Sequence, residues 1–115
     1  MRKELYAALL AGVPEVQGRI YPLILPQDTK KNSIVYHVLG TMDTTGITCT
    51  TPINTRYAVQ IDVLTTTYEE SVVIMEKVKT VLRKSFLAFN ITSFEDYANI
   101  TVKYRQIIDL QLELK

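Results

Sequence analysis

Thr55-Arg56-Tyr57-Ala58-Val59-Gln60-Ile61-Asp62-Val63-Leu64-Thr65 alternates residue by residue. Tyr57, Val59, Ile61 and Val63 fall on one side; Arg56, Gln60 and Asp62 fall on the other. Period two with β-branched and aromatic residues predicts a half-buried strand. The stretch from Tyr68 to Phe86 then changes period. Ile74, Met75, Val78, Val81, Leu82 and Phe86 recur at three- and four-residue steps and predict a helix with one apolar stripe. At the join, Thr66 with Glu69, or Thr67 with Glu70, fits a capping box, in which hydroxyl and carboxylate satisfy free backbone N–H groups. A strand and a helix with facing apolar sides pack on each other, and the other elements are placed against that pair.

Working outward, Lys3 to Ala11 reads as a short helix, with Leu5, Ala8 and Leu9 on one face and Gly12 and Pro14 as the stop. A helix that short must dock to exist. Val16 to Tyr21 is a strand. Because Pro22 and Pro26 follow, and proline cannot donate to a ladder, it is expected at an edge. Gln27 to Asn32 is a polar turn. Ser33 to Met42 is a second strand, apolar on both sides. Asp43 to Asn54, rich in threonine, reads as a long loop. Beyond the main helix, Leu87 to Asn90 reads as a connection and Ile91 to Tyr97 as a short strand. Ile100 to Leu114 is the longest strand, and Gln106 and Ile107 break its alternation as a bulge would. A strand that long is expected to bend or to overhang the sheet and offer an edge. The expectation is one α+β domain over residues 1–115, with a largely antiparallel sheet, a short N-terminal helix, one long helix and the order α-β-β-β-α-β-β.

Composition bounds the function. With 115 residues there is room for one core. A formal net charge of +1 argues against a dedicated nucleic-acid binder, which carries a basic field. Cys49 is the one cysteine, so no internal disulfide forms. No apolar run approaches the roughly 18 residues of a membrane span, and the N-terminus lacks a secretory pattern. The chain reads as made in the cytosol with no membrane partner.

No convergent chemistry stands out. His37, the one histidine, sits mid-strand without a second histidine or cysteine nearby, which is poor material for a metal site. Cys49 has no base at a recognisable spacing. The carboxylates come as neighbours, Glu69-Glu70 and Glu95-Asp96, which suits a helix cap and a solvated turn. The four glycines are scattered, so there is no phosphate loop. Seven tyrosines are dispersed without basic interleaving. The expectation is no catalytic, metal or cofactor-binding residues, no cofactor, and no enzyme.

Several stretches together resemble the small tail-completion, or tail-terminator, proteins of long-tailed bacteriophages. These are the N-terminal helix followed by Gly18-Arg19-Ile20-Tyr21-Pro22 and Pro26-Gln27-Asp28; Ile34-Val35-Tyr36; Arg56 to Val63 running into the helix that holds Glu69 to Leu82; and Tyr104-Arg105-Gln106 with the alternating last strand. The resemblance spans nearly the whole chain, except that the Asp43–Asn54 loop matches nothing in the family. It implies a structural virion assembly protein. Such proteins form a ring, typically hexameric, on the head-proximal end of the tail tube, stop tube polymerisation and join the tail to the head connector. The implied partners are copies of the chain, the tail tube protein and the head-tail connector protein, with DNA passing through the lumen without sequence-specific binding. The implied location is the virion neck, and the host cytoplasm during assembly. Interface residues are expected in the loop, at Asp43, Thr44, Thr45, Gly46, Ile47, Thr48, Cys49 and Thr50. On the two strands expected at edges they are Arg19 and Tyr21, and Lys103 and Arg105. Alternatives are a head-closure, connector or tail-tube subunit, and beyond virion assembly a small ligand-binding α+β domain.

Overall fold

A computed structural model of the chain describes residues 2–16, 18–22, 31–45, 52–97 and 104–114. Helix α1 spans Arg2–Gly12, and a single 3-10 turn, Pro14–Val16, follows. Strands β1 (Ile20–Pro22), β2 (Ser33–Thr45) and β3 (Pro52–Thr65) lead to helix α2 (Tyr68–Ser85), then to β4 (Phe86–Tyr97) and β5 (Tyr104–Leu114). The expected α+β order holds. The strands form one five-stranded sheet in the order β1-β2-β3-β5-β4. β1 pairs with β2 in parallel, and every other pair is antiparallel. β1, three residues ending in Pro22, lies at an edge as expected.

One parity of every strand faces the helices. Ile34 and Tyr36 of β2, Val59, Ile61 and Val63 of β3, Phe86 of β4, and Ile108, Leu110 and Leu112 of β5 join a single core. Ile74, Val78 and Leu82 of α2 and Leu5 and Leu9 of α1 complete it. Both helices therefore lie on one face, and no described element covers the other. α1 sits so close to α2 that a Cβ on Gly12 would stand 2.3 Å from Val81 Cγ2.

The start of α2 forms half of the expected capping box. Thr67 Oγ1 accepts from the Glu70 N–H at 3.4 Å. The Glu70 carboxylate does not turn back to complete the box; it accepts from the Asn32 side-chain amide. Asn32 Oδ1 in turn accepts from the Thr66 N–H at 3.1 Å. One asparagine thus ties the start of β2 to the start of the helix.

Four expectations are corrected. The Asp43–Asn54 loop is shorter than its sequence implies, because Asp43 pairs with Thr55, Thr44 with Asn54 and Thr45 with Pro52. Threonine is β-branched and suits a ladder; the remainder, Gly46–Thr51, lies outside the described residues. The Leu87–Asn90 connection does not exist. Phe86 leaves α2 in extended conformation (φ −136°, ψ 164°), and β4 begins there, with Phe86 in the core. The bulge expected at Gln106–Ile107 is absent, since β3 and β5 pair without a shift from Tyr57↔Leu112 to Thr65↔Tyr104. Gln106 holds a core position with 1% exposure because its Nε2 donates to Ser71 Oγ at 3.3 Å under α2. The bulge lies in β4 between Phe89 and Thr92, where Asn90 adopts φ 53°. The left-handed region favours asparagine among non-glycine residues. Finally, Tyr104–Leu114 offers no free edge, because β5 lies between β3 and β4.

Candidate functional site

Two features outside the core could meet a partner: the uncovered sheet face and an arm formed by β2 and β3. The arm follows from unequal pairing. The β3–β5 ladder ends at Tyr57↔Leu112, so from Pro52 to Arg56 the backbone of β3 is paired with β2 alone, although the Arg56 side chain still reaches β5. β1 lines β2 from Ile34 to Tyr36, so His37 to Thr45 present an outer backbone rim to no described strand. At ~3.3 Å per residue, the five residues from Pro52 to Arg56 carry the β2–β3 ribbon roughly 17 Å beyond the last β3–β5 pair. The molecule is correspondingly long, 52 × 24 × 21 Å. The bulged residue Leu39, 63% exposed, marks the base of the arm.

On the uncovered face the register lines up side chains in rows across the sheet. His37, Gln60, Asp109 and Thr92 form one row. Val35, Asp62, Ile107 and Phe94 form the next, and Leu64, Arg105 and Asp96 the one beyond. Two clusters fix the charges here. Arg105 Nη2 donates to Asp62 Oδ2 at 2.5 Å, and Gln60 Nε2 donates to Asp62 Oδ1 at 3.1 Å. This double satisfaction lets Asp62 be only 4% exposed. Near the arm, Arg56 Nε donates to Glu113 Oε1 at 3.2 Å and its Nη1 to Gln111 Oε1 at 3.3 Å. The same guanidinium stands 4.0 Å over the Phe89 ring. Arg56 is thereby held flat against the sheet. Beside it Leu39, Gly40, Thr41, Arg56, Ala58 and Gln111 line a shallow hollow of about 170 Å³. Leu39, Leu87 (45% exposed) and Phe94 (45%) add scattered apolar surface.

The described residues among those expected at interfaces lie on separate elements. Asp43, Thr44 and Thr45 lie in the arm backbone. Gly46, Ile47, Thr48, Cys49, Thr50 and Lys103 lie outside the described residues. Arg19 is half-buried and donates from Nε to the Asn32 carbonyl at 2.7 Å. Tyr21 pairs with Val35 at the β1 edge. Arg105 is on the uncovered face, near the end of β5 and flanked by strands on both sides. His37 is half-buried on that face.

The Arg56–Phe89–Gln111–Glu113 cluster was not anticipated. Each polar member was on view in the polar phase of its strand; the missing information was which strand lies beside which. Glu95 was read as solvating a turn, but it lies in β4 and accepts from the Tyr68 hydroxyl at 2.7 Å. That bond, followed by desolvation, raises the Tyr68 pKa above the ordinary tyrosine value.

Among the described residues no three histidine, cysteine or acidic side chains gather as a metal site would require, and no helix is long and apolar enough to cross a membrane. No family model matches the chain, and no curated protein matches its sequence.

Proposed function

We propose that this chain is a structural protein of virus-particle assembly of the tail-terminator type. In this reading it joins copies of itself in a ring, expected to be hexameric. The ring caps the head-proximal end of a bacteriophage tail tube, stops its growth and offers a second surface to the head connector. It does so by shape and backbone edges, without bond-making chemistry of its own.

The observation that carries this reading is the arm. A two-stranded ribbon alone is marginal in water, and unpaired strand rims are templates for another chain. Pro52 to Arg56 and the outer rim from His37 to Thr45 combine both conditions. Such a ribbon becomes well ordered energetically when a neighbour adds to it. Ring closure requires heterologous contacts of that kind, in which one surface meets a different one on the next copy. A net charge of +1 supports a lumen through which DNA passes without retention, since each phosphate neutralised adds salt-sensitive binding.

The test is excision of the arm. Met42 and Arg56 are direct partners, so replacing residues 43–55 with Asn-Gly joins them by a two-residue hairpin turn. The expected variant unfolds at the temperature of the parent but neither forms rings nor caps purified tail tubes, as read by mass in solution and by electron microscopy of the tubes. Capping at the parental level by the excised variant refutes the reading.

A further inference from the structure

The two sides of the sheet differ in charge. On the uncovered face Arg56 and Arg105 stand among Asp62, Asp96, Asp109 and Glu113. Arg56 answers Glu113; Arg105 answers Asp62 and lies 3.8 Å from Asp96. Asp109 is different. Among the described residues it meets no cation, and its Oδ1 is closed off from solvent without a hydrogen-bond partner. An acceptor left in that state is unfavourable until a donor reaches its carboxylate. Asp109 lines a hollow of about 250 Å³ together with Leu39, Ala58, Asn90 and Gln111. On the helical side, α2 ends in a basic stretch. Past Glu76 it carries Lys77, Lys79, Arg83 and Lys84 and no acid. Lys77 is held by Glu15, and Lys79 by Glu76 and Ser93. Arg83 is exposed and has no carboxylate or hydrogen-bond partner among the described residues.

The unanswered anion and the unanswered cation cannot meet within one copy, because the sheet lies between them. Each can meet the other on a second copy. We propose that the C-terminal end of α2 in one copy docks, through Arg83, on the uncovered face of the next copy at Asp109. This rests on the ring reading and adds to it the two surfaces that meet. A guanidinium offers a carboxylate a planar fork of donors, and the hollow beside Asp109 has room for one. Because the two patches lie on opposite sides of the protomer, the contact is heterologous. Each copy gives its helix end to one neighbour and its open face to the other, which is the pattern a closed ring needs. The surplus of carboxylates on the open face favours this arrangement over face against face, where like charges would be brought together.

The experiment reverses the charge of each surface in the full chain and then mixes the products. The helix variant is Thr80→Glu with Arg83→Glu, two exposed positions one turn apart. The face variant is Thr92→Lys with Asp109→Lys, which are direct partners across β4 and β5. Asp109 is half-buried; if the face variant loses the folded circular-dichroism spectrum, the exposed Thr92→Lys replaces it. Ring formation and capping of purified tail tubes are read by mass in solution and electron microscopy at low salt. Alone, each variant should assemble at least about tenfold more weakly than the parent, since like charges now meet at every contact. An equimolar mixture should recover assembly. The reversed helix end then meets the reversed face, and the parental helix end meets the parental face, so the two variants alternate around the ring. If the parent caps tubes and either variant alone does so equally well, or the mixture stays as weak as its parts, the docking proposal is overturned while the ring reading stands. If the parent forms no ring even with tubes, both are overturned.

Discussion

Substituting Gly12 by alanine sets two opposing effects against each other at the contact of the helices. A Cβ there would stand 2.3 Å from Val81 Cγ2, 2.9 Å from Cγ1 and 3.2 Å from Cβ. Carbon pairs rest comfortably at about 3.5–4.0 Å. Valine cannot swing away, because a β-branched side chain on a helix has essentially one χ1 rotamer. The end of α1 must retreat from α2 instead, and overpacking of this kind costs about 1–3 kcal/mol. Alanine recovers at most ~1 kcal/mol of helix propensity, and less at a terminal position such as this. The net expectation for Gly12→Ala is a loss of about 1–2 kcal/mol in urea unfolding, or roughly 4–10 °C in Tm. Val81→Ala alone should lose about 1 kcal/mol of apolar burial. In the double variant the two severe contacts go and only the 3.2 Å approach to the Cβ of residue 81 remains, so the two losses should fail to add, with a coupling of about 1–2 kcal/mol in favour of the pair. If Gly12→Ala is neutral or stabilising, or if the coupling is within ~0.3 kcal/mol of zero, the close approach of α1 to α2 is wrong.

Three further outcomes test other parts of the structure. Thr67→Ala should lower stability by about 1 kcal/mol through loss of the N-cap bond to Glu70, and Thr67→Ser should retain most of it, both read by urea unfolding. Asp62→Ala should lose about 1.5–3 kcal/mol, since a charge-assisted bond goes and Arg105 is left without its nearest carboxylate; Arg105→Ala combined with it should add little further loss, as a double-mutant cycle would record. Tyr68 should be a late-ionising tyrosine in an absorbance titration, because the bond to Glu95 raises its pKa. The sign is that of a raised group: the stabilisation is present below the ordinary tyrosine pKa and is lost as pH climbs through the folded value. Glu95→Gln should bring its ionisation down toward the ordinary tyrosine value.

The elements with strong period were legible in the chain. β3 from Thr55 to Thr65 and α2 from Tyr68 carry their core faces in their spacing: Val59, Ile61 and Val63 meet Ile74, Val78 and Leu82 in the core, although Asp62 and Leu64 on the other side of β3 are buried as well. What escaped was decided between strands. Nothing local to Ile100–Leu114 says that β5 lies between β3 and β4, because register is a property of pairs. Gln106 looked like a break in phase only because a buried glutamine is rare; its partner Ser71 is 35 positions away in sequence. The threonines at 44 and 45 were assigned to a loop on composition, although a β-branched residue serves a ladder equally well. Leu87 and Phe89 alternate correctly with Phe86 and Ala88, but the absence of a turn after α2 left no punctuation to announce the strand. The expected interface residues were chosen one element at a time, while a surface is assembled from several, as the Arg56–Phe89–Gln111–Glu113 cluster from three strands illustrates.

The left-handed Asn90 has a consequence for the fate of the chain before it meets any partner. It divides the outermost margin of β4 into two short runs, Phe86–Phe89 and Thr92–Tyr97, that are offset by one residue. A stray polypeptide laid along that margin can match one run and then falls out of step with the other. In a crowded cell this acts as a guard against sticking sideways, and it leaves the projecting ribbon on the opposite flank as the more inviting place for a second molecule to attach.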